Sequence, residues 1–529
     1  MPLLRSNQLS AAFQLNEILS HAQRELVEYE TIIARLQGMI VSLENEKWNI
    51  KRQVHLTKSL LAPIRKLPPE ILCQIFIEHG VANLIRPESS AVPGLKLASV
   101  CSYWRSVAFH TTELWSNINV GREEEGEWRP FHVSLVKTLL ELSRTSLLSI
   151  TLDFREDILD PRHDPSLTRT PPSCLPLLCE HADRWQSLAG ECYRTNILDA
   201  LSPVEGRLHN LDTFRLRCPF ECCSSILKGA SKLHTMTTSG SNIWTKQTSI
   251  PWNQIVHSEI RFLRFPEILR SLAKMPDLRT LFIHRFPFPH FATEDLSRNY
   301  NYEQIHHSNL TVLDIALWKP VDVLHMTKLF ELLDLTGLKS LSITSIFRDQ
   351  SWQLGCFHED VAHWSAQQLP SFLLRSSTIT TFTLQRIWVS TNDLILILQR
   401  MPFLSSFLMS DPNLDNSKES LPSMLNDDFL LSISGHGYQD RPPFLTRLTS
   451  LSLDWLVHDS FSTRVFVDVI LSRWKPPIED EVACIRTVRL SIRKGCIDSA
   501  VVHPLTILGL DIVIKDKDGD VLARSQIQD

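Results

Sequence analysis

Four side chains come closest, by type and spacing, to a chemical site: His209 with Cys218, Cys222 and Cys223. Imidazole and thiolate are zinc ligands, and a tetrahedral centre needs four of them to converge. The Cys-x3-Cys-Cys spacing suits that poorly, because adjacent cysteines rarely both reach one ion, and Cys218 falls at a strand-like end. These cysteines read as structural, and no metal is expected. His284 and His290 flank Arg285-Phe286-Pro287-Phe288-Pro289, an aromatic–proline loop that could form a contact tip but whose simpler role is loop packing. A covalent thiol carrier would need a cysteine of depressed pKa among cations, and no cysteine here is flanked by such a set. The sequence contains no Gly-rich phosphate loop, no G-x-S-x-G elbow and no H-E-x-x-H helix, and 16 glycines are few for nucleotide-binding turns. No catalytic residue, cofactor or enzymatic activity is expected.

The whole chain sets wider bounds. At 529 residues it is too long for one compact core. Hydrophobic content of 43% and charged content of 21% are those of a folded protein. A net charge of −5 offers no basic surface to neutralise phosphates, so nucleic acid is not an expected partner. Apolar clusters such as Leu394 to Leu398 fall far short of the ~18 to 20 residues that span a bilayer, so no membrane segment is expected. The opening MPLLRSNQLSAAF lacks a sustained apolar core, which predicts an intracellular location, in cytoplasm or nucleus. Most of the eleven cysteines lie in apolar runs, as Cys73, Cys101 and Cys484 do, and read as small buried hydrophobes.

The elements that would position a function begin with Leu67-Pro68-Pro69-Glu70. Proline at a first helical position loses no hydrogen bond and already has helical φ, and Glu70 meets the positive end of the helix dipole. Ile71, Leu72, Ile75 and Phe76 then give one broad apolar face. A second helix is expected to carry Leu97, Cys101, Trp104 and Ala108 on a stripe, with Val100 and Val107 beside it. Two short helices cannot close a core alone, so part of this surface needs a partner. In order and spacing, Leu67-Pro68, Ile71, Leu72, Ile75, Phe76, Leu97, Val100, Cys101, Trp104-Arg105 and Leu114-Trp115 resemble an F-box. That helical motif docks a substrate receptor onto the Skp-type adaptor of cullin–RING ubiquitin ligases. The resemblance implies that Leu67, Pro68, Ile71, Leu72, Ile75, Phe76, Leu97, Val100, Cys101 and Trp104 bind the adaptor. The connector from Gly80 to Gly94 is longer than the usual interhelical loop.

Upstream, a positions at Leu19, Leu26, Ile33, Ile40, Lys47 and Val54 pair with d positions at Leu15, Ala22, Tyr29, Leu36, Leu43 and Ile50. Register holds for more than five heptads without proline, which predicts a coiled-coil helix and a homodimer; a single helix folded back on the protein is the alternative. Pro63 marks its end.

Downstream, a core with apolar residues at i, i+3 and i+5 recurs. It reads Leu147/Ile150/Leu152, Leu211/Phe214/Leu216, Leu278/Leu281/Ile283, Leu310/Leu313/Ile315 and Leu338/Leu341/Ile343. It continues as Ile379/Phe382/Leu384, Leu404/Phe407/Met409, Leu448/Leu451/Leu453 and Ile485/Val488/Leu490, with Leu233/Met236 a degenerate copy. L-x-x-L-x-L is the strand segment of a leucine-rich repeat, in which neighbours share an apolar wedge. Helical segments lead into several copies, and Met275-Pro276 and Met401-Pro402 stop two of them. The spacing is irregular and the asparagine or cysteine that usually follows the strand is mostly absent, so a divergent array with loop insertions at 160–173, 411–423 and 434–443 is expected.

The expected fold class is α/β: a coiled-coil helix over 1–60, a helical F-box over 61–120, and a divergent leucine-rich-repeat solenoid over 121–529. The combination resembles fungal F-box proteins. That resemblance implies a non-catalytic substrate receptor of an SCF-type ligase, partnered by a Skp-type adaptor, a cullin and an unidentified protein target. The alternatives are an adaptor-bound scaffold without a cullin and a plain leucine-rich interaction module. Leu281, Leu313, Leu341, Leu384 and Leu451 are expected to face the core, and the residues between them to line the concave surface, with Arg279, Thr311, Lys339, Thr380 and Arg447 at or beside it. Trp318, Trp388 and Trp455, just past strand cores, are the candidate substrate contacts, because exposed aromatic rings dominate protein interfaces.

Overall fold

The computed structural model of the protein describes residues 2–80, 82–86, 90–121, 130–154, 173–192, 199–217, 226–239, 250–261, 265–284, 303–317, 322–345, 369–387, 389–410, 425–435, 444–455, 462–476, 482–492, 499–506, 510–515 and 521–524. Two compact units divide the chain, Met1–Glu78 and His79–Asp529. Among the described residues no helix is long and apolar enough to cross a membrane.

The first unit opens with a single helix, α1 (Pro2–Leu61), 60 residues and about 90 Å long at 1.5 Å per residue. Every residue from Phe13 to Leu61 is exposed, the expected seam of Leu26, Ile33 and Ile40 included. A 3-10 turn, Pro63–Lys66, ends it with Pro63 at the first position, and α2 (Pro69–His79) follows.

The second unit is built on strands laid side by side in chain order. These begin with β1 (Asn83–Ile85), β2 (Asn117–Gly121), β3 (Leu148–Phe154), β4 (Trp185–Cys192), β5 (Thr213–Arg217), β6 (Thr235–Ser239), β7 (His257–Arg261) and β8 (Thr280–His284). A separate parallel ribbon pairs β9 (Ile305–His306) with β11 (Leu333–Asp334). The main sheet continues through β10 (Val312–Leu317), β12 (Ser340–Ser345), β13 (Thr381–Gln385), β14 (Ser406–Ser410), β15 (Ser450–Trp455), β16 (Thr487–Ile492), β17 (Asp511–Lys515) and β18 (Val521–Arg524). Each of its pairings is parallel except β17 with β18. Parallel neighbours need a crossover between them, and helices supply several of these.

One register runs through the sheet. Ile118, Ile150, Leu188, Phe214, Met236, Ser258, Leu281, Leu313, Leu341, Phe382, Phe407, Leu451, Val488 and Ile512 are successive partners, and every one is buried. The second and third residues of all nine expected cores lie in these strands, the first residue precedes each strand, and the degenerate Leu233/Met236 leads into β6. The helices lie on the buried face: the Phe407 ring meets Phe429 of the Asp427–Ser432 helix with centroids 6.3 Å apart. Phe330 and Phe372 stack at 4.6 Å between the Asp322–Leu332 and Leu369–Arg375 helices. Local signals set the helix ends. Ser390, Asn426 and Ser462 accept the backbone N–H of Asp393, Phe429 and Val465, and so cap three helices. The Phe265–Lys274 and Thr391–Gln399 helices stop just short of the two Met-Pro pairs.

Several expectations shift. Leu147 is exposed, and Leu148, which begins β3 opposite Trp185, takes its place in the core. The connector from Gly80 to Gly94, read as a loop, contains β1. The single second helix is two, α3 (Pro93–Ala98) and α4 (Ser102–His110), because Cys101 is extended (φ −160°, ψ 170°) and caps the second. Strands β4 and β7 escape an L-x-x-L-x-L search because Gly190 and Ser258 stand at apolar positions. Gly190 has φ +122°, and a Cβ there would lie 1.9 Å from the Leu152 carbonyl oxygen, so no larger residue fits. Residues 160–172, 411–423, 436–443, Trp318 and Trp388 lie outside the described residues.

Irregular spacing leaves helix and loop carbonyls without regular partners, and arginines reach across to them. Arg184 donates to the Ser146 carbonyl, Arg207 to Cys179 and Glu180, and Arg375 to Phe330 and Leu333. Arg473, 1% exposed, is the extreme case: its Nε, Nη1 and Nη2 donate to Ile433, Leu445 and Phe444 at 2.7, 2.7 and 2.6 Å. Burial pulls its pKa down to about 10, which still leaves it charged at neutral pH. At the strand starts hydroxyls do similar work, where an asparagine ladder is missing. Thr311, Thr380, Ser405 and Thr449 donate in turn to Arg279, Lys339, Thr380 and Ser405. Arg473→Met keeps the bulk and removes the donors, so the Ile433 and Phe444 carbonyls lose the guanidinium and the Leu445 carbonyl keeps only the Leu448 N–H. It should cost about 3 to 5 kcal/mol in urea unfolding, against under about 1 kcal/mol for Arg489→Met at an exposed ion pair.

Candidate functional site

The exposed apolar side chains of residues 64–120 are the candidate site residues, up to Ile77 in the first unit and from Leu95 on in the second. In α2, Pro69 occupies the first helical position and Leu72 N–H bonds to the Pro68 carbonyl at 3.1 Å. Leu72 and Phe76, one turn apart, are fully buried. Ile71 and Ile75, also one turn apart, are 42% and 41% exposed, and Ile77 is exposed on another side of the helix. This short helix therefore has two apolar faces, one used by the chain and one not. Leu67 is half-buried and Pro68 exposed.

Within the second unit, α3 starts on Pro93 and its Gly94 is buried, where a Cβ would meet the Trp115 ring at 2.7 Å. Leu95 is exposed, Leu97 half-buried, and Val100, between the helices, is 60% exposed. Cys101 is half-buried; it acts as a cap rather than a core residue, its Sγ accepting the Trp104 N–H at 3.4 Å. Arg105 Nε donates to the Ala98 carbonyl at 3.0 Å and ties the two helices together. Val107 and Ala108 are buried, Trp104 is half-buried and Tyr103 exposed. Trp115 is fully buried, donates its indole N–H to the Ala108 carbonyl at 2.8 Å, and tilts against Phe109 at 5.8 Å.

Residues 64–120 match the F-box-like family. This segment is an F-box-like domain. No curated protein matches the chain. Among solved structures, the crystal structure of a TLR13–ssRNA13 complex is similar at TM-score 0.31 and 10% identity, over 63% of this chain and 46% of that one. The chain thus spans less than half the length of that relative, and the likeness is too remote to carry an argument.

The part of the F-box-like domain that lies in the second unit, residues 79–120, is joined to the strand array in a way the motif does not reveal. Trp115 leads into Ile118 and Val120 as Trp185 leads into Leu188, and each indole donates to the carbonyl seven residues earlier, Ala108 or Leu178. The domain's exit is thus the first apolar wedge of the sheet. Strand β1 pairs with β2 and places Asn83 opposite Ile118; Asn83 Nδ2 donates to the Leu114 and Asn117 carbonyls at 3.1 and 3.0 Å. Arg86, just past β1, bonds Asp153 of β3 at 3.1 Å. The sheet therefore runs across the boundary expected near Gly121. The alternation of Asn117, Ile118, Asn119 and Val120 marks β2 in the sequence, whereas β1, with Asn83 at an apolar position, carries no such signal.

Other sequence candidates fare differently. His209 is exposed, while Cys218, Cys222, Cys223 and the 285–290 loop lie outside the described residues. Among the described residues no group of three potential metal ligands converges. Burial pushes the Cys174 and Cys179 thiols up to about 12 and about 11, the opposite of nucleophile activation. Cys484, expected in the core, is exposed because its neighbour Ile485 takes the inward position. Trp455 ends β15 opposite Ile492. Trp115→Phe, which removes the indole donor and leaves a small void, should lower stability by about 1 to 3 kcal/mol in urea unfolding. Val100→Ser, on an exposed side chain, should change it by less than about 0.5 kcal/mol.

Proposed function

We propose that this chain is the substrate receptor of an SCF-type ubiquitin ligase, its F-box-like domain holding a Skp-type adaptor and its strand array presenting a protein target. The observation that carries this reading is the set of large apolar side chains left exposed inside the matched domain: Ile71, Ile75 and Ile77 on α2, and Leu95, Val100 and Tyr103 around α3 and α4. Such side chains cost free energy in water and mark a surface that another protein covers. Of the residues that the F-box resemblance assigns to the adaptor, Leu72 and Phe76 have no free surface. The contact falls to Leu67, Pro68, Ile71 and Ile75, with Leu97, Val100, Cys101 and Trp104 contributing what they expose. The receptor supplies proximity and orientation; transfer of ubiquitin belongs to the enzymes recruited with the cullin. Trp318, Trp388 and Trp455 are the proposed anchors for the target at the strand ends.

Ile75→Asp separates docking from folding. The site is half open, so the aspartate is tolerated in the free chain but would be buried unpaired in the complex. Adaptor affinity should fall about a hundredfold or more, with Tm unchanged. Leu72→Asp, at a buried site, should instead lower Tm. Unchanged adaptor retention by Ile75→Asp removes the docking assignment. Cullin captured with the adaptor supports a receptor, adaptor alone a scaffold, and neither a plain interaction module.

The chain is proposed to self-associate through α1. Its a and d side chains are exposed along the whole helix, and the β-branched a positions Ile33 and Ile40 alternate with Leu36 and Leu43 at d, the pattern that favours parallel dimers. Light scattering should give a dimer for the wild type and a monomer for Ile33→Glu, with adaptor binding retained. A wild type already monomeric at roughly micromolar concentration, where coiled coils of this length normally pair, would exclude the dimer.

A further inference from the structure

Between successive strands the side chains that alternate with the buried column make up the open face of the sheet. Over β5 to β8 that face holds a cavity of about 270 Å³, lined among others by Arg215, Thr237, His257, Glu259, Phe282 and His284. Its origin is a difference in side-chain size. Thr237 pairs with Glu259, which pairs with Phe282, while Arg215 lies one residue past the Phe214–Met236 pair on the other side. With strands about 4.8 Å apart, Arg215 and Glu259 stand roughly 10 Å from each other across a threonine too small to fill the gap. The result is a slot the width of one side chain.

The two walls differ in what they can still bind. Glu259 is satisfied: it accepts from Thr237 Oγ1 at 3.2 Å, pairs with the Arg261 guanidinium, and lies 3.7 Å from His284 Nε2. His284 in turn stacks on the half-buried Phe282 ring, centroids 6.4 Å apart and planes 22° from parallel. Behind them Asp314 faces His284 and Ser342, and burial raises its pKa. On the opposite wall Arg215 is exposed and its guanidinium has no hydrogen bond or ion pair among the described residues; the exposed His257 imidazole likewise has none among them. The slot's carboxylate, Glu259, is therefore engaged and its arginine side chain has no partner among the described residues, so a cationic guest would meet competition and an anionic one would find a donor. A guanidinium binds a carboxylate through two parallel hydrogen bonds, and the Phe282 ring, three strands away or about 14 Å at that spacing, suits an aliphatic or aromatic part of the same segment.

We infer that this slot receives an acidic side chain of a protein segment, its carboxylate on Arg215 and an apolar group of the same segment on Phe282. The inference deepens the receptor reading and rests on it for the source of the segment. It adds a contact on the open face to the tryptophans proposed at the strand ends.

The test uses the full chain and three pools of short capped peptides, otherwise random, with the central residue fixed as Glu, Gln or Lys. By fluorescence anisotropy at low salt the Glu pool should bind about tenfold tighter than either of the others, a preference that fades as salt is raised. Arg215→Ala should bring the Glu and Gln pools within about twofold of each other at unchanged Tm, and Arg215→Lys should keep part of the preference. Equal behaviour of the Glu and Gln pools on the wild type, including no binding of either, overturns the slot, as does a preference that survives Arg215→Ala. Adaptor retention is measured on the same preparations. Loss of acid preference with the adaptor retained sinks the slot alone; acid preference without the adaptor sinks the receptor reading and leaves the slot standing.

Discussion

Register between parallel strands is the constraint on which the second unit depends. A strand with one apolar face gains little by itself, because its side chains must be covered by those of its neighbours as well as by helices. Shifting any strand by one residue would turn its apolar set toward the open face. The buried column from Ile118 to Ile512 shows the constraint being met across connections of very different length. Leu310 and Leu338 are close in sequence, Leu338 and Ile379 much farther apart, yet Leu313, Leu341 and Phe382 are successive partners. Loop-closure entropy grows only logarithmically with length, so long insertions are tolerated while a slipped strand is not.

Keeping register over irregular connections has a polar consequence. Crossovers of unequal length end their helices at unequal heights, and a regular ladder of asparagines cannot reach all the exposed carbonyls. Arginine can, since its long stem carries a planar fork with five donors. Arg184, Arg207, Arg375 and Arg473 each cross to an earlier segment. Arg473 has lost nearly all its water, and three carbonyl dipoles stand in for hydration. Buried charge is tolerated when it is hydrogen-bonded on every side, and the shape of the loop before β15 is tied to that one guanidinium.

Legibility in the sequence followed how local the determining physics was. Proline starts and stops, the long helix, and the nine strand cores with three apolar positions could be read, because each depends on residues within a few positions of one another. Strands β1, β4 and β7 could not, because Asn83, Gly190 and Ser258 are acceptable only in view of the neighbouring strand: Asn83 for the carbonyls of Leu114 and Asn117, Gly190 for the closeness of Leu152. The candidate site was half legible. Periodicity located the apolar positions of α2 but could not divide them into the buried pair, Leu72 and Phe76, and the exposed pair, Ile71 and Ile75. An apolar stripe has the same spacing whether its partner is its own chain or another.

The union of α3 and α4 with the sheet bears on how a receptor of this kind would work. If α3 and α4 shared no hydrogen-bonded sheet with the strands, a target held on the strands would sample a wide volume, and its effective concentration at the ligase would fall as that volume grew. Instead α3 and α4 run through Trp115 into β2, and β2 is hydrogen-bonded on one side to β1 and on the other to β3. Asn83 and the Arg86–Asp153 pair add cross-links at the same place. The helices that carry Leu95 and Val100 are thus part of the same hydrogen-bonded body as the slot beside Arg215. Orientation of a bound target relative to those helices is then a property of the fold, held by backbone pairing rather than by a hinge, and that is the condition under which binding alone can raise a reaction rate at a distant centre.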